Sequence, residues 1–222
     1  MTDPKLRAAR EALTEVDALG PGPHVIGLGS GSTATLFIRE LAARVRAGAE
    51  ITGVPTSNAS RALAASLGIP LLDDAGPWTI DLTVDGADEV SEKLDLIKGG
   101  GGAHTREKIV NQASLRNVIV VDASKLSTRL GEKWPVPVEI LRFAHRSTVQ
   151  HLERLGDVTL RDRPTDADNL IADVKTGPTS DPAALDEALR AIPGVVETGL
   201  FVRRADVVIV ATDDGVRRLR AR

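Results

Sequence analysis

Short, apolar, β-branched runs alternate with Ala- and Leu-rich segments of helical periodicity through the first 121 residues, and this alternation limits the possible folds most strongly. Strands that are joined by helices usually pair in parallel. The chain must return to the starting edge of the sheet before the next parallel strand begins, and a helix covers that distance. The runs are nearly all apolar, as in strands that are buried on both faces. We therefore expect an α/β fold with a mostly parallel sheet flanked by helices, from strands at 24–28, 51–54, 69–72, 80–84, 94–98 and 117–121 and helices at 4–18, 33–47, 57–67 and 105–114.

The pattern changes near Leu130, after which short strands and two helices predict a small α+β unit. The segment 138–140 has the alternation of a half-buried strand, and the fully apolar run 206–211 is expected to rejoin the first sheet. We therefore expect a larger domain of residues 1–129 plus 202–222 and an inserted small domain of residues 130–201. Further elements are expected as helices at 147–155 and 182–191 and strands at 158–161, 169–174 and 195–197.

The composition excludes several classes of function. The chain has two Trp, three Phe, no Tyr and no Cys, so thiolate chemistry and aromatic stacking platforms are not expected. Its net charge of −3 provides no basic surface for a nucleic acid, and no apolar run is long enough to span a membrane. The first five residues lack the apolar core of a signal peptide. We expect a cytoplasmic protein that acts on a small molecule, with no nucleic-acid or membrane partner.

The glycine-rich segment Gly27–Thr33 follows a strand and opens a helix, a position where exposed N–H groups attract anions. The third glycine of a dinucleotide fingerprint is replaced by Ser32, and the segment has no lysine for a Walker A loop. Its hydroxyl groups favour a monophosphate site, and the alternative is a tight turn between strand and helix. No histidine or carboxylate spacing supports a metal site.

Three further polar clusters follow predicted strands. Asp85–Glu89 is either a ligand-binding turn or, as the alternative, a solvated turn or an incidental cation site. Four consecutive glycines after Lys98 favour close approach of a ligand to the backbone. Glu107 follows in the first turn of a helix, where a capping role is the alternative. Lys125 follows the strand expected at 117–121. We expect the four clusters to lie after four strands of one sheet, and their carboxylates, lysines and anion cradle suit proton transfer on a sugar phosphate.

These segments resemble the type A ribose-5-phosphate isomerases over nearly the whole chain. The matching segments are GLGSGSTA (27–34), TSN (56–58), DGADE (85–89), KGGGGAHTREKI (98–109), DASK (122–125), KWPVPVE (133–139), GLF (199–201) and ADVVIV (205–210). The resemblance implies a Rossmann-like α/β domain with a smaller, inserted, ferredoxin-like α+β domain, in a homodimer or homotetramer. It implies interconversion of D-ribose 5-phosphate and D-ribulose 5-phosphate in the pentose phosphate pathway, without a cofactor or a metal.

The resemblance also implies roles for particular residues. Glu107 would accept the proton, and our enediolate hypothesis adds Asp85 and Lys98 as catalytic groups. The substrate would be bound by Ser30, Gly31, Ser32, Thr33, Asp85, Gly86, Ala87, Asp88, Lys98, Gly99, Gly100, Gly101 and Lys125. The chain departs from the family at Ser30, commonly Thr, and at Gly102, often Ala. The family's basic residue in the first helix corresponds to either Lys5 or Arg7.

Two alternatives belong to other functional classes. A sugar-phosphate sensor would use the same anion cradle without catalysis, but it would not need both Glu107 and Lys98, and the sequence has no helix-turn-helix. A coenzyme A transferase or an amino-sugar-phosphate deaminase on a related fold would require acyl-CoA or would release ammonia.

Overall fold

A computed structural model describes residues 3–220, which form six helices and thirteen strands. The helices are α1 (Pro4–Asp17), α2 (Ser32–Arg46), α3 (Asn58–Ser66), α4 (His104–Gln112), α5 (His145–Leu152) and α6 (Pro182–Arg190). The strands are β1 (His24–Leu28), β2 (Ile51–Pro55), β3 (Leu82–Asp85), β4 (Glu89–Val90), β5 (Leu96–Ile97), β6 (Asn117–Asp122), β7 (Val136–Ile140), β8 (Asp157–Leu160), β9 (Leu170–Lys175), β10 (Val195–Thr198), β11 (Leu200–Phe201), β12 (Val207–Thr212) and β13 (Gly215–Arg220).

The described chain divides into two compact units. The first contains residues 3–86, Arg106–Ser124 and 205–220, and the second contains Ala87–Thr105 and Lys125–Arg204. The second unit thus takes in 87–105 as well as the segment expected as the small domain, because β4 and β5 form a sheet with β11. The domain limits given above stay a prediction, and residues 1–2 and 221–222 of the larger domain lie outside the described residues.

The first unit is built on a six-stranded sheet in the order β13-β12-β6-β3-β1-β2. All neighbouring pairs are parallel except β12 and β13, so the expected α/β class and mostly parallel sheet are confirmed. Leucine, isoleucine and valine side chains of its strands pack with α1 and α2, and Phe37 is fully buried there. Val110 of α4 packs in a separate cluster with Val54 and Ile80. The run 206–211 rejoins this sheet as β12, as expected.

The second unit contains a four-stranded antiparallel sheet in the order β10-β7-β9-β8. Along the chain its elements run β7-α5-β8-β9-α6-β10, which together with this strand order is the ferredoxin-like arrangement. Asp181 caps α6 through its side chain, which accepts from the Ala184 N–H, and Pro182 occupies the first turn, as the sequence predicts. The small α+β fold expected after Leu130 is therefore confirmed.

A three-stranded sheet, β11-β5-β4, corrects the expectation that four polar clusters follow strands of one sheet. The clusters at Gly27–Thr33, Asp85 and Lys125 follow β1, β3 and β6 of the six-stranded sheet, but Lys98 follows β5 of this small sheet. The strand β5 has only two residues and pairs antiparallel with Leu200–Phe201 and with β4. Pairing with distant residues therefore determines where Lys98 lies.

Two other expectations were wrong in detail. Segment 69–72 forms only a single bridge between Leu71 and Gly53, because Pro70 has no N–H to donate to a ladder. The strand expected to be half-buried at 138–140 is buried on both faces, including the charged Glu139. The Glu139 carboxylate accepts hydrogen bonds from Thr105 Oγ1 (2.5 Å), Thr165 Oγ1 (2.9 Å) and Asn169 Nδ2 (2.8 Å), which compensate for its loss of water.

Replacing Phe37 with Ala should lower the free energy of unfolding by about 3–5 kcal/mol, because the substitution leaves a cavity under a fully buried ring. The matched substitution Phe143→Ala, at a ring that is 87% exposed, should change it by no more than about 0.5 kcal/mol. Urea unfolding of both variants measures the difference. Equal losses in the two variants would contradict the assigned core.

Candidate active site

In the first unit, Asp85 at the end of β3 holds the loop that follows β1. Its Oδ1 accepts hydrogen bonds from the N–H groups of Ser30 (2.9 Å) and Gly86 (2.8 Å). Glycine is needed at position 29, since a Cβ there would lie 2.2 Å from the same oxygen. Asp85 is buried, so these bonds replace the water that its carboxylate loses on folding. The sequence-predicted residues Ser30, Asp85 and Gly86 are thus brought together.

The Ser30 hydroxyl belongs to a group of three hydroxyls, of which Thr56 and Ser57 were not assigned to the site from the sequence. Ser30 Oγ lies 2.8 Å from Thr56 Oγ1 and 2.8 Å from Ser57 Oγ. Thr56 and Ser57 are buried between β2 and α3, and Ser57 also caps α3. The TSN segment directly after β2 was the available signal, because polar residues at the end of a parallel strand face the ligand-binding edge.

The anion cradle predicted at Gly27–Thr33 would lie at the start of α2. Gly31, with φ of +92°, precedes the helix and has no side chain to cap its first N–H groups. Lys5 Nζ donates to Ser32 Oγ over 3.0 Å, whereas the Arg7 guanidinium donates to the carbonyls of Thr212 and Asp213. Of the two candidate basic residues in α1, Lys5 is therefore the one that contacts this segment. Thr33, in the first turn of α2, is buried.

Glu107 lies in the first turn of α4 and is only 5% exposed. The helix N-terminus carries a partial positive charge, which favours a carboxylate at this position. The neighbouring Arg106 donates from Nη1 to Asn58 Oδ1 (3.0 Å), and Val110 packs against the sheet one turn later. Contacts on both sides of Glu107 thus fix the helix that carries it.

In the second unit, Lys98 is held by the segment Gly199–Phe201. The Lys98 N–H donates to the Gly199 carbonyl (2.9 Å), and Nζ lies 5.4 Å from the centre of the Phe201 ring, within range of a cation–π interaction. A Cβ at Gly199 would lie 2.2 Å from the Lys98 carbonyl oxygen. Lys98 itself is 3% exposed, so its ammonium is held in surroundings poor in water.

The glycines after Lys98 differ in how much space surrounds their Cα atoms. Gly99 has φ of +104°, and a Cβ there would meet the ring of His104 at 2.6 Å. Gly100 leaves room for Asp88, whose Oδ2 accepts its N–H at 2.6 Å. A Cβ on Gly101 would meet nothing within 4 Å. His104 is fully buried beside this loop, and its Nε2 lies 3.2 Å from the Glu197 carbonyl oxygen.

Lys125 ends the short 3₁₀ turn after β6, and its Nζ lies 5.2 Å from the centre of the Trp134 ring. The fully buried Glu89 carboxylate accepts the four consecutive N–H groups that lead to this tryptophan. The donors are Gly131 (3.0 Å), Glu132 (3.1 Å), Lys133 (3.1 Å) and Trp134 (3.2 Å). Glu89 thereby fixes the backbone of the aromatic neighbour of Lys125.

The predicted site residues fall into two groups, one in each unit. Residues 30–33, Asp85, Gly86 and Glu107 belong to the first unit, and Ala87, Asp88, residues 98–101 and Lys125 belong to the second. Residues 3–220 contain no cluster of three or more histidines and carboxylates suited to a metal ion. No helix within that range is long and apolar enough to cross a bilayer. The roles assigned to individual residues stay predictions.

Comparison with known proteins identifies a family. The family model described as ribose 5-phosphate isomerase A (phosphoriboisomerase A) matches residues 52–215. The ribose-5-phosphate isomerase A of Caulobacter vibrioides is 47% identical over 98% of this chain and 98% of its own length. That of Thermomicrobium roseum is 46% identical over 97% of this chain and 92% of its own length.

Solved structures give the same result. Ribose 5-phosphate isomerase A from Methanocaldococcus jannaschii superposes with a TM-score of 0.91 at 42% identity, over 98% of both chains. A D-ribose-5-phosphate isomerase in complex with phospho-erythronic acid superposes with a TM-score of 0.92 at 38% identity, over 98% of this chain and 97% of that one.

The variant Glu89→Gln should lower the free energy of unfolding by about 3 kcal/mol, because the new amide NH₂ group is buried facing backbone donors and leaves some of these N–H groups without an acceptor. Glu92→Gln is the matched control at an exposed position and should change stability by no more than about 0.5 kcal/mol. Urea unfolding measures both. A Glu89→Gln variant as stable as the control would show that these four bonds do not stabilise the fold.

Proposed function

Because this chain belongs to the ribose 5-phosphate isomerase A family, we propose that it interconverts D-ribose 5-phosphate and D-ribulose 5-phosphate, with Glu107 as the base and without a cofactor. The observation that carries the assignment of Glu107 is a buried carboxylate in the first turn of α4, within the segment KGGGGAHTREKI that resembles the family. The reaction belongs to the pentose phosphate pathway.

Glu107 would move one proton between two carbon atoms. A C–H bond beside a carbonyl is weakly acidic, and a positioned base accelerates its removal by about 10²–10⁴-fold. We infer that Glu107 takes the proton from C2 of the open-chain aldose, which leaves an enediolate, and returns it to C1 to give the ketose. The fixed first turn of α4 supports this role, because little reorientation is needed before transfer.

The negative charge that develops on the substrate oxygen requires a donor held in place beforehand. Lys98, which is buried and held by Gly199 and Phe201, would donate a hydrogen bond from its positively charged ammonium group to this oxygen. N–H groups of the glycine loop would donate to the same oxygen. One such donor is worth about 3–4 kcal/mol of transition-state stabilisation. A lysine suits this task because its ammonium is a compact point charge.

Asp85 and Asp88 would act on the substrate oxygens. We assign to Asp85 the movement of protons between hydroxyl groups and help in opening the sugar ring, and to Asp88 the orientation of hydroxyls. Both carboxylates are fixed by backbone N–H groups, those of Ser30 and Gly86 for Asp85 and that of Gly100 for Asp88. Such fixed acceptors support orientation of a highly hydroxylated ligand.

The phosphate would lie at the start of α2, with Ser32, Thr33, Lys5 and Lys125 as side-chain ligands. A helix N-terminus offers free N–H groups and a favourable dipole to an anion, and Lys5 already contacts Ser32 there. The structural relative in complex with phospho-erythronic acid supports a phosphorylated sugar derivative as ligand. Binding of this remote group positions the reacting end of the sugar.

Three finer expectations accompany this proposal. We propose a cytoplasmic location, a homodimer or homotetramer, and a small sugar phosphate as the ligand, with no nucleic-acid or membrane partner. The net charge of −3 supports the last point, because binding to nucleic acid depends on a basic surface.

The unmodified protein should convert D-ribose 5-phosphate to the ketose, with and without a chelator, and Glu107→Gln should lower kcat by at least about 10²-fold. The amide keeps the size of the side chain but cannot accept the carbon-bound proton. In D₂O the unmodified protein should also incorporate deuterium at the reacting carbon, since an enediolate exchanges its transferred proton through the base. Ketose formation and proton NMR measure the two effects.

Glu187→Gln is the matched control on an exposed face of α6 and should keep both activities. A folded Glu107→Gln variant with nearly normal turnover would exclude Glu107 as the base. Absence of ketose with the unmodified protein would refute the isomerase activity itself.

Lys5→Gln should raise KM for D-ribose 5-phosphate by about tenfold while kcat changes little. The substitution removes a positive charge that would contact the phosphate, and it leaves the groups near the reacting carbons unchanged. Arg10→Gln is the control on the same helix, where Arg10 pairs with Glu40. Steady-state kinetics of the two variants provide the measurement. An unchanged KM in Lys5→Gln would remove Lys5 from the phosphate site.

A further inference from the structure

The glycine loop 98–102 is held by a side chain from the four-stranded sheet of the same unit. Arg161, the first residue after β8, donates from Nη1 to the carbonyl oxygens of Gly99 (2.8 Å) and Gly100 (3.1 Å). Its other nitrogens, Nε and Nη2, donate to the two oxygens of Asp173 at 2.7 and 2.6 Å. The Arg161 side chain is 22% exposed, and its backbone N–H donates to Ile171.

These contacts fix the direction of the loop's N–H groups. A trans peptide is planar, and its C=O and N–H bonds point in opposite directions. The carbonyl of Gly99 shares its peptide with the N–H of Gly100, and the carbonyl of Gly100 shares its peptide with the N–H of Gly101. Since both carbonyls point to one guanidinium nitrogen, the two N–H groups are turned away from Arg161, and that of Gly100 reaches Asp88 Oδ2 at 2.6 Å.

We infer that Arg161 is a positioning residue for the isomerisation, which acts on substrate through the peptides of Gly99 and Gly100. This inference rests on the proposed function, in which the loop N–H groups and Asp88 contact the sugar. A charged donor on a carbonyl polarises the whole peptide and strengthens the N–H on its far side. Arg161 therefore sets the direction and the strength of the loop donors, as well as the place of the Asp88 carboxylate.

Asp173 makes this arrangement specific to arginine. The planar guanidinium presents donors along two edges, so one edge pairs with Asp173 while the remaining nitrogen contacts both carbonyls. A lysine ammonium cannot span this set of acceptors in one plane. A loop of consecutive glycines has many accessible conformations, and it needs such a constraint from outside its own sequence.

The test compares Arg161→Ala with Arg142→Ala. Arg142 also pairs with an aspartate of this unit, donating to Asp168 Oδ1 and to its carbonyl, but it contacts no part of the glycine loop. We expect Arg161→Ala to lower kcat about ten- to hundredfold, with KM changed by less than about threefold, because misplaced donors act mainly in the transition state. We expect Arg142→Ala to retain the kinetics of the unmodified protein.

Two further readouts separate positioning from a general loss of structure. Amide hydrogen exchange in the peptide containing residues 98–102 should be faster in Arg161→Ala and unchanged in Arg142→Ala. Millimolar guanidinium ion should restore part of kcat in Arg161→Ala and have no such effect on the control. If Arg161→Ala does not fold, Arg161→Lys and Asp173→Asn replace it, with the same expected pattern in exchange and in kcat.

Equal kinetics in the Arg161 variants and the control, or unchanged exchange in the loop, would overturn the role of Arg161. Lack of activity in the unmodified protein would instead refute the proposed function. In that event the exchange measurement still decides whether Arg161 holds the loop.

Discussion

Carboxylates that accept backbone N–H groups, two of them buried, hold the loops of both units in place. Asp85 holds the turn after β1, Glu89 holds the segment that leads to Trp134, and Asp88 holds Gly100. Hydrogen bonds of this kind involve a charged acceptor, so each is stronger than a bond between neutral groups. The loops of the proposed active site can therefore be rich in glycine and still keep one conformation.

This principle explains how a chain with five aromatic residues and no cysteine can bind a small anionic sugar. The ligand offers hydroxyl and phosphate oxygens rather than a flat apolar face, and fixed N–H groups, hydroxyls and carboxylates match those oxygens. The few aromatic rings near the proposed site contact lysines: Phe201 lies beside Lys98 and Trp134 beside Lys125. Such rings restrict where an ammonium group lies without neutralising it.

The sequence predicted those parts of the fold whose signals are local. The run 24–28 became β1 with the expected limits, and Asp181 with Pro182 marked the start of α6, because alternation of apolar residues and helix caps depend on neighbours along the chain. The strands β4, β5 and β11 have two residues each, and β11 is a strand only because it pairs with β5 across a long stretch of chain. The burial of Glu139 likewise depends on donors at least 26 residues away.

The same division applies to the candidate site. Gly29, Asp85 and Glu107 lie in segments whose composition already favours a ligand, so the sequence alone was enough to predict a place for these segments in the site. Asp173 lies on β9 and Arg161 directly after β8, both in the four-stranded sheet region of the second unit, and nothing in their local sequence distinguishes them from surface charges. Their role becomes visible only when the chain brings them to the glycine loop.

The first unit is assembled from three separate stretches, and its strand β12 lies between β6 and β13. During synthesis on the ribosome, β6 emerges some 85 residues before its partner at Val207. Until then the growing sheet ends in the unpaired edge of β6, a surface that invites pairing with other chains. The second unit ends at Arg204, so all of its strands precede β12 and β13 along the chain, and the larger sheet is the last to have all its strands synthesised.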